Sequence, residues 1–211
     1  MILEAQRKLV IEYCQKMKAE KLTDGTSGNI SILDKESGYI AISPSALPYE
    51  ALRPEDIPIV NLKGNIVDGN TKPSSELEFH LALYNKRDDI GAVVHTHSHY
   101  ASAVACLGLE LPPVHYMIGF AGDKVPLAPY KTFGTKELSA AIQENIGNYN
   151  ALLLENHGLL AVHKSIELAY ACAEAVEYVA KVFILAKSVG EPKILSNEEM
   201  AIVVEKFKHY K

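Results

Sequence analysis

Residues 93–101 read VVHTHSHYA. Two β-branched apolar residues run into histidines at alternate positions, His95, His97 and His99. In an extended strand alternate side chains share a face, so His95 and His97 stand side by side, roughly 6.6 Å apart along the chain. The spacing fits a metal site or a catalytic pair. Two ligands do not close a metal site, so the remaining groups must come from other segments.

The rest of the chain reads as alternating short strands and helices. Residues 2–20 place Ile2, Leu3, Leu9, Val10, Tyr13 and Met17 near helical spacing. GNISIL and YIAIS form a hairpin around DKESG, and IPIVNLKGNIVDG (57–69) forms another around Lys63-Gly64-Asn65. SSELEFHLALYNKR (74–87) is a helix opened by Ser74 or Ser75, IGAVVHTH is an apolar strand, ASAVACL a helix, and TKELSAAIQENI (135–146) a further helix. NALLLENHGLLAVH (150–163) is two apolar strands around a tight turn at Asn156-His157-Gly158. A long helical pattern from Ser165 to Val189 stops at Gly190, the expected C-cap. Ser196 and Glu199 then make the S-x-x-E box that opens the last helix. This pattern predicts a single α/β domain over residues 1–211, with a central, mainly antiparallel sheet covered by helices.

Composition narrows the function classes. The 211 residues are 48% apolar and 22% charged, as in a folded globular domain with a real core. A formal charge of -5 argues against nucleic acid or an anionic membrane as partner, while leaving room for a local phosphate site. The first residues are charged throughout and do not read as a signal peptide. The most apolar window, 175–189, is broken by Glu177, Lys181 and Lys187, so no membrane span is expected. Cys14, Cys106 and Cys172 are odd in number, far apart and in apolar settings; buried free thiols in a reducing cytoplasm are the reading.

The histidine strand gains a third candidate from LLLENHGLL, where His157 sits at the tip of a strand pair beside a glycine that allows a sharp turn. Three histidines with an open fourth position form a catalytic zinc pattern. Singly, each histidine reads first as a surface or hydrogen-bonded core residue; His-x-His on a strand together with His-Gly at a strand turn favours the metal. Ser74 and Ser75 precede Glu76 at a helix start, where free N–H groups and hydroxyls favour an anion. Glu76 there is a cap or a reactive carboxylate. Glu76 and His80, four apart on one helix face, are a second, less favoured ligand pair. GTSGNIS (25–31) is a small-residue loop whose backbone can approach an anion, without the lysine of a nucleotide-phosphate loop.

GTSGNIS, ISPSALPYE, KPSSELEFH, VVHTHSHYA, HYMIGFAG, APYKTFGT and ENHGLLA occur in an order and spacing that resemble the class II aldolase and epimerase family, over nearly the whole chain. Within it, PPVHYMIGFAG, YKTFGT and EKFKHYK look like the fuculose-phosphate aldolase branch, whereas HTHS is also typical of the epimerase branch. The resemblance implies one zinc ion per subunit held by His95, His97 and His157, with Glu76 as a fourth group that leaves the metal and moves a proton. It implies a substrate phosphate against Gly28, Asn29, Ser45, Ala46, Ser74 and Ser75, although family members often carry glycine where this chain has Ala46. It also implies a cytoplasmic homotetramer with sites at subunit interfaces. There Tyr116 reaches a neighbouring site, and Tyr210 and Phe133 close over the aldehyde end. His99 receives no role from the family.

The implied reaction splits L-fuculose 1-phosphate into glycerone phosphate and L-lactaldehyde by retro-aldol cleavage. Breaking that C–C bond leaves an enediolate, whose charge a Lewis-acid metal offsets. A carboxylate beside the metal can transfer the C3 proton, worth about 10²–10⁴-fold. Two alternatives share the sequence features: an L-ribulose-5-phosphate 4-epimerase or another sugar-phosphate aldolase, and a non-catalytic zinc-stabilised binding domain. A structural zinc has four fixed ligands, which separates the last from the others.

Overall fold

A computed structural model describes residues 1–208. An eight-stranded sheet runs through the chain in the order β4-β3-β2-β1-β5-β8-β7-β6. Its strands are β1 (Asn29–Asp34), β2 (Tyr39–Ile42), β3 (Ile59–Asn61), β4 (Ile66–Asp68), β5 (Ala92–Thr96), β6 (Leu127–Ala128), β7 (Ala151–Leu154) and β8 (Gly158–His163). All neighbours are antiparallel except β6 and β7. Strand β6 is only two residues long, too short for any periodicity to mark it in the sequence.

Helices α1 (Glu4–Ala19), α2 (Leu77–Lys86), α3 (His99–Cys106), α4 (Lys136–Ile146), α5 (Ile166–Val189) and α6 (Asn197–Lys208) cover the sheet. Val10 and Met17 of α1, Val104 of α3 and Val176 of α5 pack with Ile30, Val94 and Ala161 on one face. Phe79 and Leu83 of α2 and Ile142 of α4 pack with Val93, Leu152 and Leu160 on the other. The central strand β5 is therefore buried on both faces, which is why it reads as an unbroken apolar run.

Several details differ from the sequence reading. Helix α2 begins at Leu77, not at the serines: Glu76 is the N-cap, and Ser74 Oγ accepts from the Glu76 N–H at 3.2 Å. The hydroxyl competes locally for the backbone and delays the helix. The sharp turn before β8 is made by Asn156, with φ 53°, whereas Gly158 answers a different need. A Cβ on Gly158 would overlap the Thr96 carbonyl oxygen. Gly190 caps α5 but is extended, with φ 170°, so no left-handed cap forms there. Cys14 and Cys172 are buried free thiols as expected; Cys106, at the end of α3, is exposed together with the following Leu107. At α6 the Ser196 hydroxyl accepts from the Glu199 N–H at 3.2 Å, the expected half of the capping box.

Candidate active site

The β5–β8 pairing places the histidines. His95 is the penultimate residue of β5 and lies opposite Leu160 of β8 and Asn29 of β1. His97 lies one residue beyond the strand, and His157 one residue before β8. The close approach of Gly158 to the end of β5 brings the two loop histidines onto His95. The ring centroids are 4.8 to 5.0 Å apart, all three near perpendicular. One ring nitrogen from each falls within 4.8 Å of the others, a grouping that could hold a metal ion. His99 points elsewhere, to Asp24 at 3.0 Å on the surface.

The donor set fits a divalent metal. His95 Nδ1 donates to the Leu159 carbonyl at 3.0 Å, which leaves the Nε2 lone pair facing His97 Nε2 at 3.0 Å. A backbone carbonyl on the far nitrogen is the usual way a metal-binding imidazole is oriented. Burial pushes the pKa of all three histidines down, that of His157 to about 4, so the rings are neutral and their lone pairs available. Glu76 comes over the cluster from the start of α2, with Oε2 3.3 Å from His95 Nε2 and Oε1 3.4 Å from His157 Nε2. With neutral rings these contacts are not ion pairs. Among the described residues Oε1 has no hydrogen-bond partner although it is buried, a lone acceptor aimed at the imidazole cluster. Desolvation raises the Glu76 pKa, and the hydrogen bond from Asn29 Nδ2 at 2.9 Å opposes it.

A cavity of about 360 Å³ opens on this cluster. His97, His157 and Glu76 line one end, and Gly28, Asn29, Ser45, Ala46, Ser74 and Ser75 line the same space. The Pro44↔Pro73 bridge holds the two serine segments together. Ala46 is left-handed, with φ 59°, which explains structurally why glycine suits this position. Gly28 is required by packing, because a Cβ there would press on Met17 and on the His95 carbonyl. The Asn29 side-chain amide is engaged by Glu76 and His80. The second ligand pair read from the sequence, Glu76 with His80, does not form, since His80 binds Ser31 and Asn29 instead.

Phe133 also lines the cavity, with its ring exposed. Thr26, Ser27, Tyr130, Lys131 and Asn156 line it too, and sequence reasoning gave them no role. GTSGNIS and APYKTFGT carried that signal as loops, since every member of a small-residue loop beside a site is a candidate lining group. Tyr116 is apart from this cavity, on a surface shared with Val203 and Phe207 of α6, and is 55% exposed. Tyr210 falls outside the described residues.

Residues 8–184 match the family model for the class II aldolase and adducin N-terminal domain. The chain belongs to this family. It is 49% identical over 210 residues to a 5-deoxy-D-ribulose 1-phosphate aldolase of Bacillus thuringiensis serovar kurstaki, covering 100% of this chain and 99% of the relative. It is 39% identical over 203 residues to an L-fuculose phosphate aldolase of Escherichia coli, covering 95% and 93%. A solved L-fuculose 1-phosphate aldolase structure superposes with a TM-score of 0.95 at 43% identity, covering 97% of this chain and 96% of that one. The chain is thus a class II, metal-dependent aldolase, a carbon–carbon lyase. No helix among the described residues is long and apolar enough to cross a membrane.

Proposed function

We propose that this enzyme cleaves a 1-phosphorylated deoxyketose between C3 and C4, releasing glycerone phosphate and a short aldehyde. The observation that carries the reading is the cavity that brings His97, His157 and Glu76, beside the buried His95, together with the serine and glycine loops. His95, His97 and His157 hold the metal, taken to be zinc, and Gly28, Asn29, Ser45, Ala46, Ser74 and Ser75 surround the phosphate. A metal bound there supplies Lewis acidity to the ketose carbonyl and its neighbouring hydroxyl. Glu76 delivers a proton to C3 of the glycerone phosphate fragment in cleavage and removes it in the reverse direction. As a carboxylate it accepts from Asn29, and desolvation raises its pKa, which eases uptake of the proton it then delivers.

For the aldehyde, the identity of 49% to a 5-deoxyribulose 1-phosphate aldolase supports acetaldehyde over the lactaldehyde expected from the sequence motifs. L-fuculose 1-phosphate is the second reading, supported by the 43% identical solved structure. The substrates differ by one hydroxymethine beyond the cleaved bond, so discrimination falls to the Phe133 end. There we place Tyr116 of a neighbouring subunit, in a cytoplasmic homotetramer, as the group that takes the C4 hydroxyl proton in cleavage and returns it to the aldehyde oxygen in the reverse direction; the exposure of its ring supports that placement. Tyr210 completes the reading as a closing residue.

Purified protein is to be assayed with 5-deoxyribulose 1-phosphate, L-fuculose 1-phosphate and L-ribulose 5-phosphate side by side, with metal analysis. The expected result is glycerone phosphate from the first two, faster from the first. Epimerised L-ribulose 5-phosphate without release of glycerone phosphate from any substrate would overturn the reading. Tyr116→Phe should lower kcat at unchanged metal content; a fully active monomer would remove the shared site.

A further inference from the structure

Glu76 is the first of three polar residues stacked at four-residue spacing along one side of α2. His80 and Tyr84 follow it, and both are buried. Opposite them, Asn29 and Ser31 stand two apart on one face of β1. Helix and strand periods thus match over this stretch, and the five side chains interleave into one hydrogen-bonded chain. Asn29 Nδ2 donates to Glu76 Oε2 at 2.9 Å. Asn29 Oδ1 meets His80 Nε2 at 2.6 Å, and His80 Nδ1 meets Ser31 Oγ at 2.7 Å. Tyr84 closes the far end, its hydroxyl proton shared between Ser31 Oγ at 2.8 Å and the Ser31 carbonyl at 3.0 Å.

The chemistry of these atoms gives the chain a direction. A carboxylate oxygen accepts only, so the Asn29 amide must present nitrogen to Glu76 and oxygen to His80. An amide oxygen also accepts only, so His80 must carry its proton on Nε2. The neutral ring then has a lone pair on Nδ1, which the Ser31 hydroxyl fills. Each link fixes the orientation of the next, and a reversed Asn29 amide would set oxygen against oxygen.

We propose that His80 is a positioning residue: through Asn29 it holds the Glu76 carboxylate in place over the histidine cluster. This rests on the reading of Glu76 as the proton-transfer group. Nothing in the fold needs a polar ladder here, since the same face of the sheet is otherwise packed with Val93, Phe79 and Leu83. A half-satisfied ladder would be worse than an apolar one, so its completeness from Tyr84 to Glu76 matters.

The test compares two polar variants of His80 that keep opposite ends of the ring. His80→Gln sets an amide near the Nε2 position and can still donate to Asn29. His80→Asn sets it near Nδ1, keeping Ser31 but not Asn29. At equal metal content, His80→Asn should lose about 10–100-fold in kcat, with KM for the sugar phosphate within about twofold, and His80→Gln should recover most of it. Equal losses in both variants, or the reverse order, would overturn the proposal. Nitrogen-15 spectra of histidine-labelled wild-type protein should independently show His80 as the Nε2–H tautomer; an Nδ1–H tautomer would also overturn it. Glu76→Gln separates the two ideas. If it is inactive while His80→Asn matches wild type, only the positioning role fails. If Glu76→Gln keeps wild-type kcat, the reading of Glu76 itself fails.

Discussion

Gly158 and Thr96 lie so close that a Cβ on Gly158 would overlap the Thr96 carbonyl oxygen and stand 3.2 Å from Cδ2 of His97. This contact sets the distance between the two loops that carry His97 and His157. Gly158→Ala should therefore push β8 from the end of β5 and spread the imidazoles. We expect a loss of about 1–3 kcal/mol from overpacking and weaker metal retention. Urea unfolding and metal stoichiometry after dialysis check this, and unchanged values in both would show that the loops can separate freely.

Glu76→Gln keeps the shape of the N-cap side chain and removes its acid–base function. The fold and most of the metal should remain, held by three neutral ligands, while kcat falls about 10²–10⁴-fold. Exchange of the C3 proton of glycerone phosphate with solvent, followed by NMR, reads the affected step directly.

Ser75 is exposed at the cavity, whereas Ser74 is buried and spends its hydroxyl on the Glu76 N–H. Ser75→Ala should thus remove a hydrogen bond to the phosphate without loosening the turn. A hydrogen bond to a charged group is worth about 1.5–3 kcal/mol, roughly a 10–100-fold rise in KM. Unphosphorylated ketoses should show no comparable change in KM; equal rises for both would place the phosphate elsewhere.

Ala46 holds φ 59° beside the same cavity. A left-handed non-glycine residue costs about 1–2 kcal/mol, of which glycine's greater unfolded-state freedom returns about 0.4–1 kcal/mol. Ala46→Gly should be neutral or stabilising by up to about 1 kcal/mol, and Ala46→Val, with its branched Cβ, destabilising. Denaturant midpoints of the two variants should move in these directions.

The buried histidines make the metal-free protein acid-sensitive. Burial lowers the pKa of His157 to about 4 and of His80 to about 3, against about 6.5 unfolded. Between those values the unfolded chain binds more protons than the folded one, so stability rises with pH and is lost as pH falls below about 6.5. Each pH unit in that window is worth up to about 1.4 kcal/mol per histidine. Chelator-treated protein should show a falling urea midpoint from pH 7 to pH 4; with metal bound the midpoint should be higher and should fall at least as steeply, because the metal keeps the folded histidines deprotonated.

The sequence determined much of this. VVHTH and LLLENHGLL announced a buried strand pair ending in imidazoles because apolar runs and alternation are local properties, set by burial on both faces. The helices α1, α4, α5 and α6 were legible for the same reason. Motif order identified the family. Other features depend on residues far apart in the chain and carry no local signature. Whether Glu76 begins a helix or caps one turned on the Ser74 hydroxyl, and the need for Gly158 came from Thr96 on another strand. The two-residue strand β6 exists only because Leu127 and Ala128 lie beside β7. The polar ladder appears only when β1 is laid against α2: Asn29 read as a phosphate contact, Ser31 as an ordinary strand residue, and His80 as a second-choice ligand. Burial in the folded core, away from water, turned those side chains into partners, because a buried polar atom must find another to bond.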